Sequence, residues 1–121
     1  LNELEKNRDS RRAMMIYNRP SMWIDYNKNQ RSDFMCTHGV QFFIRNDKLL
    51  CYILMRSNDG IFGYRNDKKW HDYVFKKLSG DLNIEMGEMY WTSGSLHIYE
   101  RHFPLIEEYI KEEKRNSWSI I

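Results

Sequence analysis

Four short stretches of this sequence carry side chains that could do chemistry. The densest is Arg56 to Asp67, Arg-Ser-Asn-Asp-Gly-Ile-Phe-Gly-Tyr-Arg-Asn-Asp, between the apolar run Leu49 to Met55 and a helix-patterned segment from Lys68. A strand-to-helix junction is where backbone amides and side chains can converge on an anion. Arg56 offers a planar, permanently charged fork for a phosphate. Ser57 adds a hydroxyl. Gly60 and Gly63 permit close approaches that a side chain would block. Asp59 and Asp67 are poor phosphate ligands and must serve something else. The plainer alternative is a polar turn with an exposed arginine.

The second stretch is Ser-Asp-Phe-Met-Cys-Thr-His-Gly-Val-Gln around Cys36. A lone cysteine is more often an inert buried thiol than a nucleophile. Cys36, however, lies in a polar, glycine-containing loop, where a guanidinium such as that of Arg56 could favour a thiolate. Cys51, inside an apolar run, is the better candidate for a plain core residue. The third stretch is Ser-Leu-His-Ile-Tyr. His97 and Tyr99 lie two apart, so on a strand they share a face and could hydrogen-bond one hydroxyl. The fourth is the pair Arg11-Arg12 opening the run Ala-Met-Met-Ile-Tyr. It reads either as a solvated strand end or as a second anion contact.

These residues need elements to hold them. Residues 1–10 are polar, a loop or the end of a helix. Ala13 to Tyr17 reads as a buried strand. Asn18 to Ser32, with Pro20 inside it, reads as a long loop pinned by Trp23, Ile24 and Tyr26. Val40 to Ile44 and Lys48 to Met55 read as strands joined by the hairpin turn Asn46-Asp47. Neither alternates cleanly, which predicts cover on both faces. A second subunit, or further chain, is the economical supplier of that cover. From Lys68 the period becomes helical, with Trp70, Tyr73, Val74 and Leu78 on one core face. Asp67 or Asn66 is the expected N-cap, and Gly80 the stop. Met89 to Trp91 and Leu96 to Tyr99 read as strand, broken at residues 92–95. Pro104 suits the first turn of a last helix burying Phe103, Ile106 and Ile110. Asn116 to Ile121 reads as a tail. The class is α/β (α+β), a mixed sheet with flanking helices.

Composition narrows the field. The 121 residues suit one domain; 41% are hydrophobic and 30% charged, a globular balance. A net charge of +2 gives no electrostatic support for general nucleic-acid binding. No apolar run reaches membrane-span length, so no membrane partner is expected. Two cysteines are too few for a disulfide framework, which favours a reduced, cytoplasmic protein. A chain opening on Leu1 in a charged stretch suggests a fragment or a processed product.

Taken together, the four stretches resemble the thymidylate synthase family. That family has paired arginines opening a strand, as at Arg11-Arg12. It has a nucleophilic cysteine shortly before a strand, as at Cys36. It has Arg-Ser-x-Asp-x-x-x-Gly, as at Arg56 to Gly63, and His-x-Tyr near the end, as at His97 to Tyr99. All four occur in the family's order over Ser10 to His102. The resemblance makes 1–121 the C-terminal part of a single thymidylate synthase-like domain, with the upstream half absent.

The departures are informative. The usual Pro-Cys-His is Met35-Cys36-Thr37, Gly-x-Pro-x-Asn is Gly63-Tyr64-Arg65-Asn66-Asp67, and Ser95 replaces the aspartate of Asp-x-His-x-Tyr. The words Arg-Pro-Ser-Met at 19–22, Asp-Phe-Met-Cys-Thr at 33–37, Arg-Asn-Asp at 65–67 and Gly-Ser-Leu-His at 94–97 are similar to the branch of bacteriophage deoxycytidylate 5-hydroxymethyltransferases. In the synthases an asparagine reads uracil, accepting from N3–H and donating to O4. Cytosine presents the opposite pattern. A carboxylate at Asp67 cannot donate, but it accepts from the 4-amino group and from a protonated N3.

The resemblance implies that Cys36 attacks C6 of dCMP and that 5,10-methylenetetrahydrofolate supplies the one-carbon unit. Water then completes the reaction. No metal is implied. It implies that Arg56 and Ser57 hold the phosphate, His97 and Tyr99 the 3′-hydroxyl, and Asp59 and Gly63 the folate. Asp67 reads the base and stabilises charge in the ring. Arg11 and Arg12 would reach the neighbouring subunit's phosphate site in a homodimer built on a sheet face. The catalytic glutamate would lie upstream. If the source is viral, the compartment is the cytoplasm of the infected cell. Two other readings stay open: a thymidylate synthase acting on dUMP, or a non-catalytic nucleotide-binding or assembly fragment. A methylating rather than hydroxymethylating dCMP enzyme is also compatible with the sequence.

Overall fold

The computed structural model describes residues 1–25 and 34–118 of the chain. Tyr26, Asp33 and the end of the expected tail, 119–121, lie outside them. The elements in order are α1 (Asn2–Lys6), β1 (Met14–Ile16), α2 (Met22–Asp25), β2 (Thr37–Arg45), β3 (Lys48–Met55), β4 (Asn58–Asp59), α3 (Gly63–Leu82), β5 (Glu85–Ser93), β6 (Leu96–His97) and, after a single 3-10 turn at Glu100–His102, α4 (Phe103–Trp118).

The main sheet has the order β1-β2-β3-β5. β2 pairs antiparallel with both β1 and β3, and β5 joins β3 in parallel, returning after a crossover helix. The sheet is therefore mixed and flanked by helices, as expected. The hairpin turn falls where the sequence placed it. Asn46 and Asp47 both take positive φ, 51° and 58°, the mirror-image turn whose twist suits two antiparallel strands.

The core lies on one face of this sheet. Val40, Phe42 and Ile44 of β2 and Leu49, Cys51, Ile53 and Met55 of β3 point inward, against Leu4 of α1 and Phe75 of α3. Leu49 and Ile53 have no accessible surface, and burying each such side chain is worth about 1.5–3 kcal/mol.

Several expectations are corrected. β2 and β3 do alternate: their second face, with Tyr52 and Leu54, is exposed in this chain. The consecutive apolar residues hide a period-two pattern because both faces are apolar. β1 is exposed at all three positions. It is the outermost strand and borrows little cover. α3 begins at Gly63, not Lys68, so neither Asn66 nor Asp67 is its cap. Nor does Gly80 stop it. The helix runs to Leu82, and Asn83 adopts the left-handed conformation that closes it, with amides of Asn83 and Ile84 bonded to Gly80 and Ser79 carbonyls.

The buried stripe of α3 is His71 and Phe75, flanked by Val74 and Leu78, whereas Trp70 and Tyr73 are 48% and 60% exposed. Aromatic residues at helical spacing read as core, but these two sit one step round the helix from it. On α4, Phe103 and Ile110 are likewise exposed rather than buried, and the helix continues through residues 116–118. The strand expected at Leu96 to Tyr99 is only Leu96–His97. α2 interrupts the expected long loop.

Candidate active site

β3 ends at Met55, and the chain immediately turns so that its next residues face the loop before β2. The backbone amide of Arg56 donates to the carbonyl of Cys36 at 2.8 Å. The Arg56 side chain continues the same attachment: Nε donates to the Met35 carbonyl at 3.0 Å and Nη2 to the Phe34 carbonyl at 2.9 Å. Its guanidinium also lies over the Phe34 ring. Part of the fork expected to serve a phosphate therefore holds the cysteine loop, and Nη1 has no partner among the described residues. Cys36 itself is exposed, with its sulfur 3.8 Å from the Phe34 carbonyl. Cys51 is buried, and burial pushes its thiol up to about 12, with Asp72 adding to the rise and Lys68 opposing it. The two cysteines thus divide as their surroundings in the sequence suggested.

β4 follows directly and pairs in parallel with β6, setting Asn58 beside Leu96 and Asp59 beside His97. This short second sheet brings the arginine motif and the His-x-Tyr motif together. The His97 and Tyr99 rings meet edge to face at 5.1 Å, although Tyr99 lies beyond the strand. The His97 carbonyl accepts from the Gly60 amide at 2.8 Å.

Asp59 is committed to the backbone. Its carboxylate accepts from the amides of Ile61, Phe62 and Gly63, at 3.1, 3.3 and 3.3 Å, and so organises the turn into α3. Desolvation alone would raise this carboxyl. The three amides, with His102 nearby, outweigh it and hold the group below its usual range. Gly63 keeps this turn uncrowded, since a Cβ would lie 3.1 Å from the Asp59 Cβ, tighter than an ordinary contact.

Asp67 sits in the first turns of α3, half-buried. Asn58 Nδ2 donates to its Oδ2 at 3.3 Å. Burial raises Asp67 above the usual carboxylate range, and the neighbouring His71 partly opposes this. Asn58 and His71 are the residues that reading the sequence missed. Asn58 is 2% exposed, and its Oδ1 accepts from Trp91 Nε1 at 3.1 Å and Ser93 Oγ at 3.5 Å. His71 places Nδ1 2.7 Å from the Asp67 carbonyl, while its buried Nε2 has no partner among the described residues. A polar residue inside a motif full of polar residues gave no signal of burial. His71 stood out only as a polar residue one step from the apolar stripe. A cleft of about 390 Å³ opens over Asn58, Gly60, Tyr64, Trp91, Ser93 and Leu96. Ser57, half-buried, lies between Arg56 and this network.

Arg11 and Arg12 are not part of this cluster. The antiparallel register of β1 on β2 carries them away from Cys36, past Gln41, whose side chain donates to the Arg11 carbonyl. At about 3.3 Å per residue the separation along β2 is roughly 20 Å, well beyond an arginine's reach. Arg12 is paired with Glu3 at 3.1 Å. A larger groove, about 500 Å³, runs between α1, β1 and α3; of the candidate site residues only Arg12 lines it. Among the described residues no group of three or more His, Cys, Asp or Glu could hold a metal ion, and no helix is long and apolar enough to cross a membrane.

An exposed cysteine in a loop held by an arginine, and a half-buried carboxylate in a helix's first turns, lie on a fold with known relatives. The thymidylate synthase family model matches residues 1–120, and the chain belongs to that family. The chain is 51% identical over 118 residues to the deoxycytidylate 5-hydroxymethyltransferase of Enterobacteria phage T4, covering 92% of this chain and 48% of that protein. It is 46% identical over 133 residues to that of phage T6, covering 98% and 54%. The thermostable thymidylate synthase A from Bacillus subtilis has the same fold, with a TM-score of 0.73 at 23% identity over 88% of this chain and 36% of that one. The chain spans about half the length of the curated relatives it matches.

Proposed function

We propose that the complete protein carrying this chain is a deoxycytidylate 5-hydroxymethyltransferase. The observation that carries the proposal is Asp67. It stands where the resemblance to dUMP-reading synthases calls for an asparagine, and it is a half-buried carboxylate receiving a donor from Asn58. A site that presents an acceptor to the base's 4-position selects an amino group there and rejects a carbonyl.

Cys36 is the nucleophile: its thiolate adds to C6 of the pyrimidine, moving an electron pair toward C5 and charge into the ring. Asp67 accepts from the 4-amino group and from N3–H as that charge is neutralised by a proton. Its raised proton affinity makes it the better partner for a shared proton at N3, so the stabilisation grows as the adduct forms. The co-substrate 5,10-methylenetetrahydrofolate supplies the one-carbon unit and departs as tetrahydrofolate, and water provides the hydroxyl as Cys36 is expelled. Arg56, through the part of its fork not holding the cysteine loop, and Ser57 take the 5′-phosphate. His97 and Tyr99 take the 3′-hydroxyl. Asp59 and Gly63 shape the wall on which the folate lies.

The same reading makes the protein a homodimer. The outer face of the main sheet presents Tyr52, Leu54 and Tyr90 to solvent, at 39%, 37% and 47% exposure. Apolar surface concentrated on one sheet face favours a partner. A second subunit packed there would lend Arg11 and Arg12, which cannot reach their own chain's site, to its neighbour's phosphate.

The deciding experiment is product analysis. The complete enzyme is incubated with 5,10-methylenetetrahydrofolate and either dCMP or dUMP, and nucleotides and folates are separated by mass. The expected products are 5-hydroxymethyl-dCMP and tetrahydrofolate. Recovery of 5-methyl-dCMP with dihydrofolate would show hydride rather than water as the final donor, and turnover of dUMP alone would overturn the reading of Asp67.

A further inference from the structure

Asn58 occupies a position of the arginine motif to which no role is attached. It lies on β4, buried, where three elements meet: α3 through Asp67, and β5 through Trp91 and Ser93. A side-chain amide is ambiguous by itself, since its oxygen and nitrogen can exchange places by a half-turn. Here the neighbours remove the ambiguity. An indole N–H can only donate, so the atom 3.1 Å from Trp91 Nε1 must be the Asn58 oxygen. The Ser93 hydroxyl lies on the same oxygen. The amide's NH₂ is therefore forced toward Asp67, where it meets Oδ2.

We propose that Asn58 is a specificity-setting positioning residue: fixed by Trp91, it presents a donor to Asp67 Oδ2 and so compels Asp67 to face the base as an acceptor. The inference rests on the dCMP reading above. A donor on Oδ2 leaves Asp67 no reason to carry a proton there and restrains rotation of the carboxylate about its last torsion. Oδ1 and the remaining lone pair of Oδ2 are then left to meet the base. The same donor would also hold an asparagine at position 67 in one orientation, with its oxygen toward Asn58 and its NH₂ toward the base. The polarity read at the pyrimidine is thus set by residue 67 but kept unambiguous by Asn58 and Trp91.

Two variants of the full-length enzyme test this. Asn58→Asp is isosteric and still offers Trp91 an acceptor, but it sets a carboxylate against Asp67, and the two would then share a proton. Trp91→Phe keeps an aromatic ring against Tyr64 and His71, which now pack on it edge-on at 5.2 and 5.3 Å, and removes only the N–H that fixes the amide. The readouts are kcat/KM for dCMP and for dUMP, the dissociation constants of both nucleotides without folate, and the thermal midpoint. Asn58→Asp should lower the dCMP-to-dUMP preference by about tenfold or more, the scale of one mismatched buried hydrogen bond. Trp91→Phe should lower it several-fold, with dUMP unchanged or improved in both. A residue that only supports the fold would lower the thermal midpoint and depress both nucleotides together. An unchanged preference in the two variants, with wild type preferring dCMP, overturns the inference alone. A wild type that prefers dUMP overturns the dCMP reading itself, and the inference with it.

Discussion

The Arg56 amide and the Cys36 carbonyl are 2.8 Å apart, and this one backbone bond ties the start of the arginine motif to the cysteine loop. Arg56 then extends its side chain back along that loop to two more carbonyls. One residue thereby fixes the cysteine loop against the end of β3, and in the proposed reading it would link the positions of a phosphate and a thiol. Cys36→Ser in the complete enzyme should abolish turnover while dCMP binding stays within about tenfold, because the phosphate and base contacts remain. The chain itself permits a simpler check. Cys36 is exposed and Cys51 buried with a raised thiol. An aromatic disulfide reagent should therefore label one thiol in the native protein and two after denaturation, with mass mapping to Cys36. Native labelling of Cys51 would mean that the core of β3 is open.

Asp59 gives a stability prediction with a definite sign. Its folded-state carboxyl sits below its ordinary value of 3.8. Such a group contributes stability that is fully present above the unfolded value, near pH 4, and lost as pH falls through the folded one. Asp59→Ala removes the acceptor of three amides at the entrance to α3. The expected loss is about 1 kcal/mol at neutral pH, in the range of helix-entry capping residues. It should shrink progressively as pH falls below the ordinary value of 3.8. Denaturation curves of both proteins across that range check it, and a loss independent of pH would assign the effect to packing.

Much of this molecule was legible in its sequence, for reasons that differ by element. The hairpin at Asn46-Asp47 was readable because turn chemistry is local: two residues tolerant of positive φ do the whole job. The clustering of Cys36, Arg56, His97 and Tyr99 was readable only through their family resemblance, since the β4–β6 pairing that joins two of the stretches is two residues long. The start of α3 is hard to place because its first turns, Gly63 to Asp67, hold no apolar stripe, and Asp59 satisfies the Gly63 amide from outside the helix. The exposure of Trp70 and Tyr73 was invisible because an exposed aromatic at helical spacing reads like a buried one. Asn58 was missed because burial of a polar side chain is decided by what closes over it, here Trp91 and Ser93 from a strand far along the chain.

The register of β1 leads to a prediction about subunits. If Arg11 and Arg12 serve the neighbour, a doubly substituted Arg11→Ala, Arg12→Ala chain and a Cys36→Ser chain should rescue one another. In a mixed dimer one site carries both lesions, and the other has an intact cysteine and intact arginines. Random reassortment of the two inactive proteins should restore about a quarter of wild-type activity. No recovery would place the arginines in their own chain's site or outside any site. In parallel, Leu54→Glu puts a charge on the outer sheet face and should convert the proposed full-length dimer to monomers in sedimentation analysis, with little effect on the inner core.

Asp67→Asn joins specificity to stability. Burial raises the Asp67 carboxyl, so its folded-state value lies above its ordinary 3.8. The sign is opposite to that of Asp59. The folded state binds this proton more tightly than the unfolded state, so the group costs stability as pH rises through and beyond the raised value. An asparagine carries no such charge, and its oxygen can still accept from Asn58. Asp67→Asn should therefore raise the thermal midpoint at pH 7 relative to wild type, and the gain should vanish near pH 3, where Asp67 is protonated. Catalysis should change in the opposite sense. With its NH₂ toward the base, the substituted amide donates where cytosine also donates, and each unpaired buried group costs about 1–3 kcal/mol. The kcat/KM for dCMP should fall by about tenfold or more while that for dUMP rises. A variant that is more stable at pH 7 and prefers dUMP would show that Asp67 is a strained carboxylate retained for base selection. A variant with unchanged preference would leave Asp67 as a structural residue of α3.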